Sequence, residues 1–285
     1  MRQYILTCII FILMVFQVSA QSGWTRKAKS YYLLSSLSYY SSKDYYTTEG
    51  NLSNTGSRFN SSALLFYGEY GVTDRITASL DLPVIMLNSF SSTETVGGVG
   101  SVNLGLKYKL FKKAPIAFQA IFEIPTNNGI NLARAKKANE LGTFDEINLP
   151  TSDGEFNVWA NLIASKSFPD GKTYGSIYTG INFRTNSFSN QFHAGAEVGH
   201  LFFKRLYLIG KLRIQEKLDS GNENQNGSFL YGEGTTFTSL GLNAIYKLGR
   251  HLSVLTGYAD YTDLLVKRKN IYDGGIFTLG ISFGI

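Results

Sequence analysis

The sequence predicts an all-β protein, a closed antiparallel barrel of about twelve strands, and three observations support this prediction. Apolar and polar residues alternate along many segments of roughly ten residues, as in strands that bury one face only. The connections between these segments are tight and long in turn. The longest apolar run, residues 4–16, is shorter than the ~20 residues that a membrane-spanning helix needs.

The first element is an N-terminal export signal. Arg2 supplies a positive charge, the apolar run follows, and Val18, Ser19 and Ala20 place short side chains at the cleavage positions. We therefore predict a cleaved signal peptide over residues 1–20 and a barrel domain over residues 21–285. The only cysteine, Cys8, lies inside the signal, so the exported chain needs a source of stability other than disulfides, which a closed sheet provides.

The clearest strand covers residues 101–110. Its apolar side chains, from Val102 to Leu110, alternate with Ser101, Asn103, Gly105 and two lysines, which puts all the apolar groups on one face. The same period recurs in eleven further segments. These predicted strands are residues 30–40, 58–70, 75–85, 115–125, 155–168, 173–185, 191–203, 205–215, 236–248, 251–261 and 275–285.

The connections indicate which kind of barrel this is. The tight ones are residues 71–74, 112–114, 169–172, 203–204 and 248–250, and between them lie residues 41–56, 87–98, 126–154, 186–190, 217–233 and 263–273. Tight turns at one end and longer loops at the other are typical of outer-membrane barrels, whereas a secreted sandwich has no reason to separate them. We therefore predict a bacterial outer-membrane location, with membrane lipid, lipopolysaccharide and the barrel-assembly machinery as partners.

The longest connection, residues 126–154, carries an expectation of its own. Residues 131–141 favour a short helix, with Gly142 as its C-terminal stop. This segment is either a surface loop in contact with lipopolysaccharide or a plug of the barrel.

Alternation also predicts which side chains face lipid. Besides the set on residues 101–110, three sets are expected there: Ile76, Ala78, Leu80 and Leu82; Ile116, Phe118, Ala120, Phe122 and Ile124; and Phe277, Leu279, Ile281, Phe283 and Ile285.

Two stretches carry a family resemblance. The runs YGEYGVTDRITASLDLPV, from Tyr67, and GGVGSVNLGLKYKLFKKAPIAFQAIFEIPT, from Gly97, resemble the outer-membrane family named after the MetA pathway of phenol degradation. The pattern is a YGxTDR turn, a strand ending in Leu-Pro, a glycine-rich start, LGxKYxL, and a strand ending in Pro-Thr. The resemblance implies an outer-membrane barrel that acts as a transporter, with no settled substrate. Ser101 stands where the family usually carries an Asp.

The opposite face of the strands supplies the candidate site. The lumen-lining side chains that we expect to bind solute are Glu69, Asp81, Lys107, Glu123, His193, Glu197, Lys211 and Arg213. About twelve strands lies between filled barrels of ~8 strands and open porins of ~16–18. We therefore expect a channel or transporter that passes or binds small molecules in its lumen. The alternative is a filled structural or interaction barrel without transport.

Other function classes have little support in the sequence. His193 and Glu197 share a strand face, but four residues along a strand span ~13 Å, too far for a hydrogen-bonded dyad. An outer-membrane enzyme is thus the least favoured reading, and we expect no cofactor and no metal. The glycines of residues 97–100 lead into a strand, so no helix N-terminus is available for phosphate. The net charge of +6 comes without a dense basic run, so we expect no nucleic-acid partner.

Overall fold

A computed structural model of the chain describes residues 22–186, 188–218 and 233–284. The predicted signal peptide and Ile285 lie outside the described residues, as does most of the long connection at residues 217–233. Within the described part of the chain, no helix is long and apolar enough to cross a membrane.

Twelve long strands form a closed antiparallel barrel. They are β1 Tyr31–Tyr46, β2 Leu52–Thr73, β3 Ile76–Phe90, β5 Val102–Lys109, β6 Ile116–Ile124, β9 Asn157–Ser167, β10 Thr173–Arg184, β11 Gln191–Phe202, β12 Leu206–Lys217, β13 Phe237–Lys247, β14 Leu252–Thr262 and β16 Ile276–Gly284. Four short strands are added: β4 Val96–Gly98, β7 Leu132–Arg134, β8 Glu146–Asn148 and β15 Ile271–Asp273. Because β1 pairs with β2 on one side and with β16 on the other, the sheet closes on itself. The predicted fold class and all twelve predicted strands are confirmed.

The outer wall of the barrel is apolar and the inner wall is mostly polar. On β5, Leu104 and Leu106 are 44% and 50% exposed, whereas Lys107 between Leu106 and Tyr108 is 3% exposed. The described members of the three predicted lipid-facing sets point the same way, because their polar strand neighbours Thr77, Asp81, Gln119, Thr278 and Ser282 are buried in the interior. A strand with a period of two in hydrophobicity thus places one face in lipid and the other in the lumen.

The two ends of the barrel differ as the connection lengths predict. The short connections at residues 74–75, 110–115, 168–172, 203–205 and 248–251 lie together at one end, here called the turn end. The longer ones lie at the opposite, loop end. The first of these was expected at residues 41–56, but β1 continues to Tyr46 and β2 begins at Leu52, so this connection is an extended hairpin that β15 joins along β1. Ser53 and Asn54 pair with β1 here, although Ser and Asn are residue types that favour turns.

The helix predicted over residues 131–141 is wrong. The chain forms the β7–β8 hairpin there, closed by hydrogen bonds between the Ala135 N–H and the Asp145 carbonyl and between the Asn139 N–H and the Thr143 carbonyl. The Asn139 side chain also accepts bonds from the backbone N–H groups of Leu141 and Thr143, and such local bonds compete with a helix. Gly142 does take a positive φ, but in this turn.

The hairpin is held because it completes an apolar cluster inside the loop end. This outer aromatic cluster consists of Tyr40, Phe59, Phe90, Ala133, Leu149 and Tyr272. Ala133 and Leu149, from the long connection, are fully buried in it, and the Phe59 and Tyr272 rings stack with centroids 4.9 Å apart. The long connection therefore folds inward and fills part of the loop end, and this burial overrides local helix propensity.

A second apolar cluster and the N-terminal segment narrow the lumen elsewhere. Leu34, Tyr67 and Leu255, from β1, β2 and β14, form the inner apolar cluster. Residues 22–30 precede β1 and cross the turn end of the barrel. They start beside β9, where the Gly23 N–H donates to Ser165 Oγ at 2.7 Å, and reach β3, where the Arg26 N–H donates to Thr77 Oγ1 at 2.8 Å. The open space in the lumen is left to the side of the barrel formed by β3 to β12.

Candidate functional site

A cavity of about 160 Å³ lies inside the barrel between the N-terminal segment and the loop end. Its wall is built from inward-facing positions of eight strands, β2, β3, β5, β6, β9, β10, β11 and β12, together with Thr151, Ser152, Asp153 and Glu155 from the long connection. One water needs ~10–15 Å³, so the cavity has room for a small organic molecule. The space exists here because polar side chains cannot collapse into a dry core without their hydrogen bonds.

Strand register brings five polar side chains of this wall into one row. Asp81 on β3 pairs with Asn103 on β5, Asn103 with Glu123 on β6, Glu123 with Asn157 on β9, and Asn157 with Arg184 on β10. Side chains that face each other across neighbouring strands lie ~4.5–5.5 Å apart at Cβ. We call these residues the polar row. It runs along the wall formed by β3, β5, β6, β9 and β10, and its first member, Asp81, lies beside Tyr67 of the inner apolar cluster.

Part of the polar row is satisfied within the protein. The Trp159 indole N–H donates to Glu123 Oε2 at 3.0 Å, and the Arg184 guanidinium donates to Glu155 Oε1, with 2.9 Å between Nε and the carboxylate oxygen. The Glu155 and Arg184 side chains are 1% and 2% exposed. The long connection thus reaches the cavity with a buried ion pair that anchors it to β10.

Asp81 and Asn157 of the row, together with two other residues of the cavity wall, offer free acceptor atoms to the cavity. Among the described residues, no hydrogen-bond donor reaches Asp81 Oδ1, Asn157 Oδ1, Asn182 Oδ1 or Glu155 Oε2, although each of these atoms is buried. The only buried donor of the cavity wall in the same condition, within the described chain, is Arg213 Nε. The wall is therefore richer in free acceptors than in free donors.

The predicted residues Glu69 and Lys107 belong to a charged network at the turn end. Glu69 Oε2 accepts a hydrogen bond from Arg26 Nε at 2.7 Å. The other oxygen, Oε1, accepts one from the Tyr67 hydroxyl at 2.8 Å and lies 3.8 Å from Lys107 Nζ. Lys107 is 3% exposed and Glu69 is 6% exposed. Since Arg26 belongs to the N-terminal segment, this network ties that segment to the inner wall of β2 and β5.

The remaining predicted residues lie on β11 and β12. Lys211 Nζ is 3.8 Å from Glu197 Oε2, and these two residues face each other directly across the strands. Arg213 donates to Gln215 Oε1 at 2.7 Å, and its guanidinium lies over the Phe237 ring. His193 is 2% exposed, hydrogen-bonds Asn161 Oδ1 at 2.5 Å and packs on Trp159 with ring centroids 4.8 Å apart.

The structure thus divides the eight predicted side chains into two groups. Asp81, Glu123, His193 and Arg213 line the cavity, whereas Glu69, Lys107, Glu197 and Lys211 do not and form ion pairs instead. The prediction from the sequence did not include Arg184 or Trp159. Each lies at an inward-facing position of its strand, β10 and β9, so the alternation of inward and outward positions could have identified both. It also missed Arg26, which precedes the barrel strands, and Glu155, which was the first residue of the predicted strand 155–168 and lies just before β9.

The cavity wall presents groups that can hold a solute by hydrogen bonds. Among the described residues, no group of three or more His, Cys, Asp or Glu side chains is placed to hold a metal ion. The buried His193 bonds to an amide and two aromatic rings, with no carboxylate among these partners to orient it as a base. The site offers charged and amide groups on a concave wall, which is a way to hold a solute by hydrogen bonds.

Comparison with known proteins shows the fold. No protein-family model matches the sequence, and no curated protein matches it significantly. Among solved structures, an outer membrane channel from Pseudomonas putida F1 aligns over 95% of this chain and 100% of its own, with a TM-score of 0.61 and 13% identity. The translocator domain of the autotransporter NalP from Neisseria meningitidis aligns over 92% and 90%, with a TM-score of 0.55 and 10% identity. A mutant of the monoaromatic hydrocarbon channel TodX aligns over 91% of both chains, with a TM-score of 0.50 and 8% identity. The chain therefore has the fold of outer-membrane barrels.

Proposed function

We propose that this protein is an outer-membrane channel or transporter that binds small molecules in its lumen and passes them across the membrane. The observation that carries the proposal is the polar cavity, whose free acceptors point into a space that is large enough for a small organic molecule. In a barrel with a purely structural role, side chains would be expected to fill this space. The fold is shared with two proteins described as channels, which agrees with the proposal.

The proposal extends to the setting of the barrel. Residues 1–20 act as a cleaved signal peptide, the turn end faces the periplasm, and membrane lipid, lipopolysaccharide and the barrel-assembly machinery are the partners of the exported chain. Membership of the family named after the MetA pathway of phenol degradation rests on the two motif stretches alone. We assign the barrel no catalytic role.

In this proposal the N-terminal segment is the inner barrier of the pathway. It crosses the turn end and is fixed there by the ion pair between Arg26 and Glu69. The Arg26 side chain of this pair is 30% exposed. Loss of the Arg26 guanidinium would remove this ion pair and leave the segment held by hydrogen bonds such as those of the Gly23 and Arg26 N–H groups. The outer aromatic cluster narrows the other end without closing over the polar row.

A filled structural barrel remains the second candidate, and specific contacts favour it. Four of the eight predicted lumen residues are ion-paired, and two apolar clusters occupy the side of the lumen that lies along β14, β1 and β2. Buried pairs of this kind brace neighbouring strands, and breaking one costs ~3–5 kcal/mol. The two candidates therefore differ in whether ions cross the barrel.

Reconstitution in a planar bilayer separates them. We expect discrete conductance steps from the wild-type protein, and larger or longer-lived steps from Arg26→Gln, because this change releases the N-terminal segment from Glu69. Lys27→Gln, an exposed neighbour of Arg26, is the matched control and should behave as wild type. A wild-type protein that is folded but silent, and stays silent after Arg26→Gln, would establish the filled barrel.

A further inference from the structure

The cavity carries more negative than positive charge, and this imbalance bears on what it binds. Four carboxylates line it, from Asp81, Glu123, Asp153 and Glu155, against the two guanidiniums of Arg184 and Arg213. Elsewhere in the lumen basic groups outnumber acidic ones, since Glu69 faces both Arg26 and Lys107, and Glu197 faces Lys211. The excess of acid is thus confined to the cavity.

Asp81 is the centre of this imbalance. It is 8% exposed, and its Oδ1 has no hydrogen-bond partner among the described residues. None of the ion pairs formed by the described part of the chain includes Asp81 or Glu123. A buried carboxylate that lacks a cation or donors is unfavourable in its ionised form, so a cation supplied by a ligand would stabilise the ionised carboxylate and be bound by it.

Register places Glu123 to share that ligand. Asp81 and Glu123 lie on the two neighbours of β5, level with Asn103, so their backbones are about 10 Å apart and both side chains enter the same space. The free acceptors Asn157 Oδ1 and Asn182 Oδ1 belong to the same wall. An ammonium or guanidinium group carries several N–H donors and no acceptor, which matches a wall of this kind.

An aromatic surface adjoins the acidic groups. Trp159 lines the cavity and donates its indole N–H to Glu123 Oε2, which fixes its ring next to the carboxylate. Tyr67 lines the cavity beside Asp81, its partner across β2 and β3. Organic cations are attracted to carboxylates and to aromatic faces, whereas anions are repelled by both.

We propose that the cavity binds a small organic cation, with its ammonium or guanidinium group held by Asp81 and Glu123. The proposal rests on the proposed function, since it names the solute class of the same lumen. The ligand's N–H groups donate to the free oxygen of Asp81 and to the amide oxygens of Asn157 and Asn182. Its apolar part lies along Trp159.

The test uses the chain's own fluorescence. The sequence has two tryptophans, and Trp24 lies on the N-terminal segment, with its ring against Tyr174. Trp24→Phe therefore leaves Trp159, in the cavity wall, as the only tryptophan, so tryptophan emission then reports on the cavity. The full-length barrel with this change, folded in detergent, is titrated with three probes of equal length: n-butylammonium, 1-butanol and butyrate. We expect saturable changes in emission with n-butylammonium at concentrations at least about tenfold lower than with the other two.

Single substitutions test which residues n-butylammonium binding depends on. Asp81→Asn keeps the shape of the side chain and should weaken n-butylammonium binding by about tenfold, the usual effect of losing one charge-assisted hydrogen bond. Glu123→Gln should weaken it in the same direction, and it carries the test if Asp81→Asn does not fold. Glu94→Gln removes an exposed carboxylate outside the lumen and is the matched control, with no change expected. Folding of each variant is read from its heat-dependent mobility shift on SDS gels.

The outcomes separate this proposal from the proposed function. Equal binding of butyrate, or unchanged affinity in folded Asp81→Asn and Glu123→Gln, overturns the cation site even where the same preparation conducts in a bilayer. If n-butylammonium binds selectively and in an Asp81-dependent way, but the barrel gives no conductance steps, the cation site is supported and the proposed passage across the membrane is overturned. A silent barrel that binds none of the three probes overturns both.

Discussion

At the scale of single residues, the direction of each side chain is set by its position along a strand of period two. On β5 a shift of one residue moves a side chain from lipid to lumen, as the exposed Leu106 and the buried Lys107 show. This is why the sequence alone was sufficient to assign the wall on which Asp81, Glu123, His193 and Arg213 lie. It could not show that Glu69 and Lys107 pair with each other, because that depends on register and on Arg26, which precedes the barrel.

The two walls should differ sharply in their tolerance of charge. We expect Leu106→Arg to impair assembly, because an arginine on the lipid face near the midplane of the bilayer costs ~2–4 kcal/mol. Asn103→Arg, three residues away on the same strand but facing the lumen, should assemble well, since water and the acidic residues of the cavity surround it. The measurement is the folded fraction in outer-membrane preparations, from mobility on unheated gels. Equal damage from the two changes would contradict the register of β5.

At the scale of elements, the tight turns could be predicted more closely than the loops. The β9–β10 connection follows from Pro169, Asp170 and Gly171, residue types that favour turns, and Gly171 takes the positive φ that this turn needs. The β7–β8 hairpin was missed because its stability comes from Ala133 and Leu149 in the outer aromatic cluster, contacts with distant β1, β2 and β15 that no local pattern contains. The true extent of β1 and β2 was missed for a related reason, since pairing with β15 supports polar residues as strand.

The β9–β10 turn should show a pH dependence. Asp170 accepts bonds from the Thr173 hydroxyl, the Thr173 N–H at 2.9 Å and the Lys172 N–H at 3.0 Å, and these bonds lower the pKa of its carboxyl to about 2. The pKa of Asp170 is lower in the folded state than its unfolded-state value of ~4, so the charged carboxylate stabilises the fold at pH values above this. The contribution to stability is lost as the pH falls toward 2. The unfolding temperature of wild type should therefore exceed that of Asp170→Asn at pH 6, and the difference should shrink between about pH 4 and about pH 2.

The control for this turn is Lys172→Gln. It keeps the backbone N–H that bonds to Asp170, so its difference from wild type should not change across the same pH range. A constant difference between wild type and Asp170→Asn from pH 6 to pH 2 would show that the carboxylate bonds do not stabilise the turn.

At the scale of the whole molecule, strand count, closure and the division into a turn end and a loop end could all be predicted from the sequence. The division of the lumen could not. Its open side depends on which inward positions are apolar on neighbouring strands, as with Leu34, Tyr67 and Leu255 on β1, β2 and β14. The cavity is what remains on the side formed by β3 to β12, so it is a property of the closed ring and of no single strand.

The orientation of the ring in the membrane is testable directly. We expect the loop end to face the outside of the cell, because its connections are the longer ones. Single cysteines at Ala138, in the β7–β8 hairpin, and at Gly171, in the β9–β10 turn, can be labelled on intact cells with a membrane-impermeant thiol reagent. Ala138→Cys should react and Gly171→Cys should react only after the outer membrane is opened. Labelling of Gly171→Cys alone on intact cells would reverse the orientation.

The pairing of β1 with β16 has a consequence for how the chain folds. Nine residue pairs, from Tyr32 with Gly284 to Tyr40 with Ile276, join the two ends of the barrel sequence. Bringing such distant residues together costs loop-closure entropy before any of these bonds form, so sealing of this seam is expected to be the slow, late step of folding. The N-terminal segment is attached directly to β1, and its Gly23 contacts β9 in the middle of the chain. A newly inserted barrel is therefore expected to close its seam and to bring the N-terminal segment across its turn end in the same event, and an unsealed intermediate would be open both to lipid at its edges and to water through its centre.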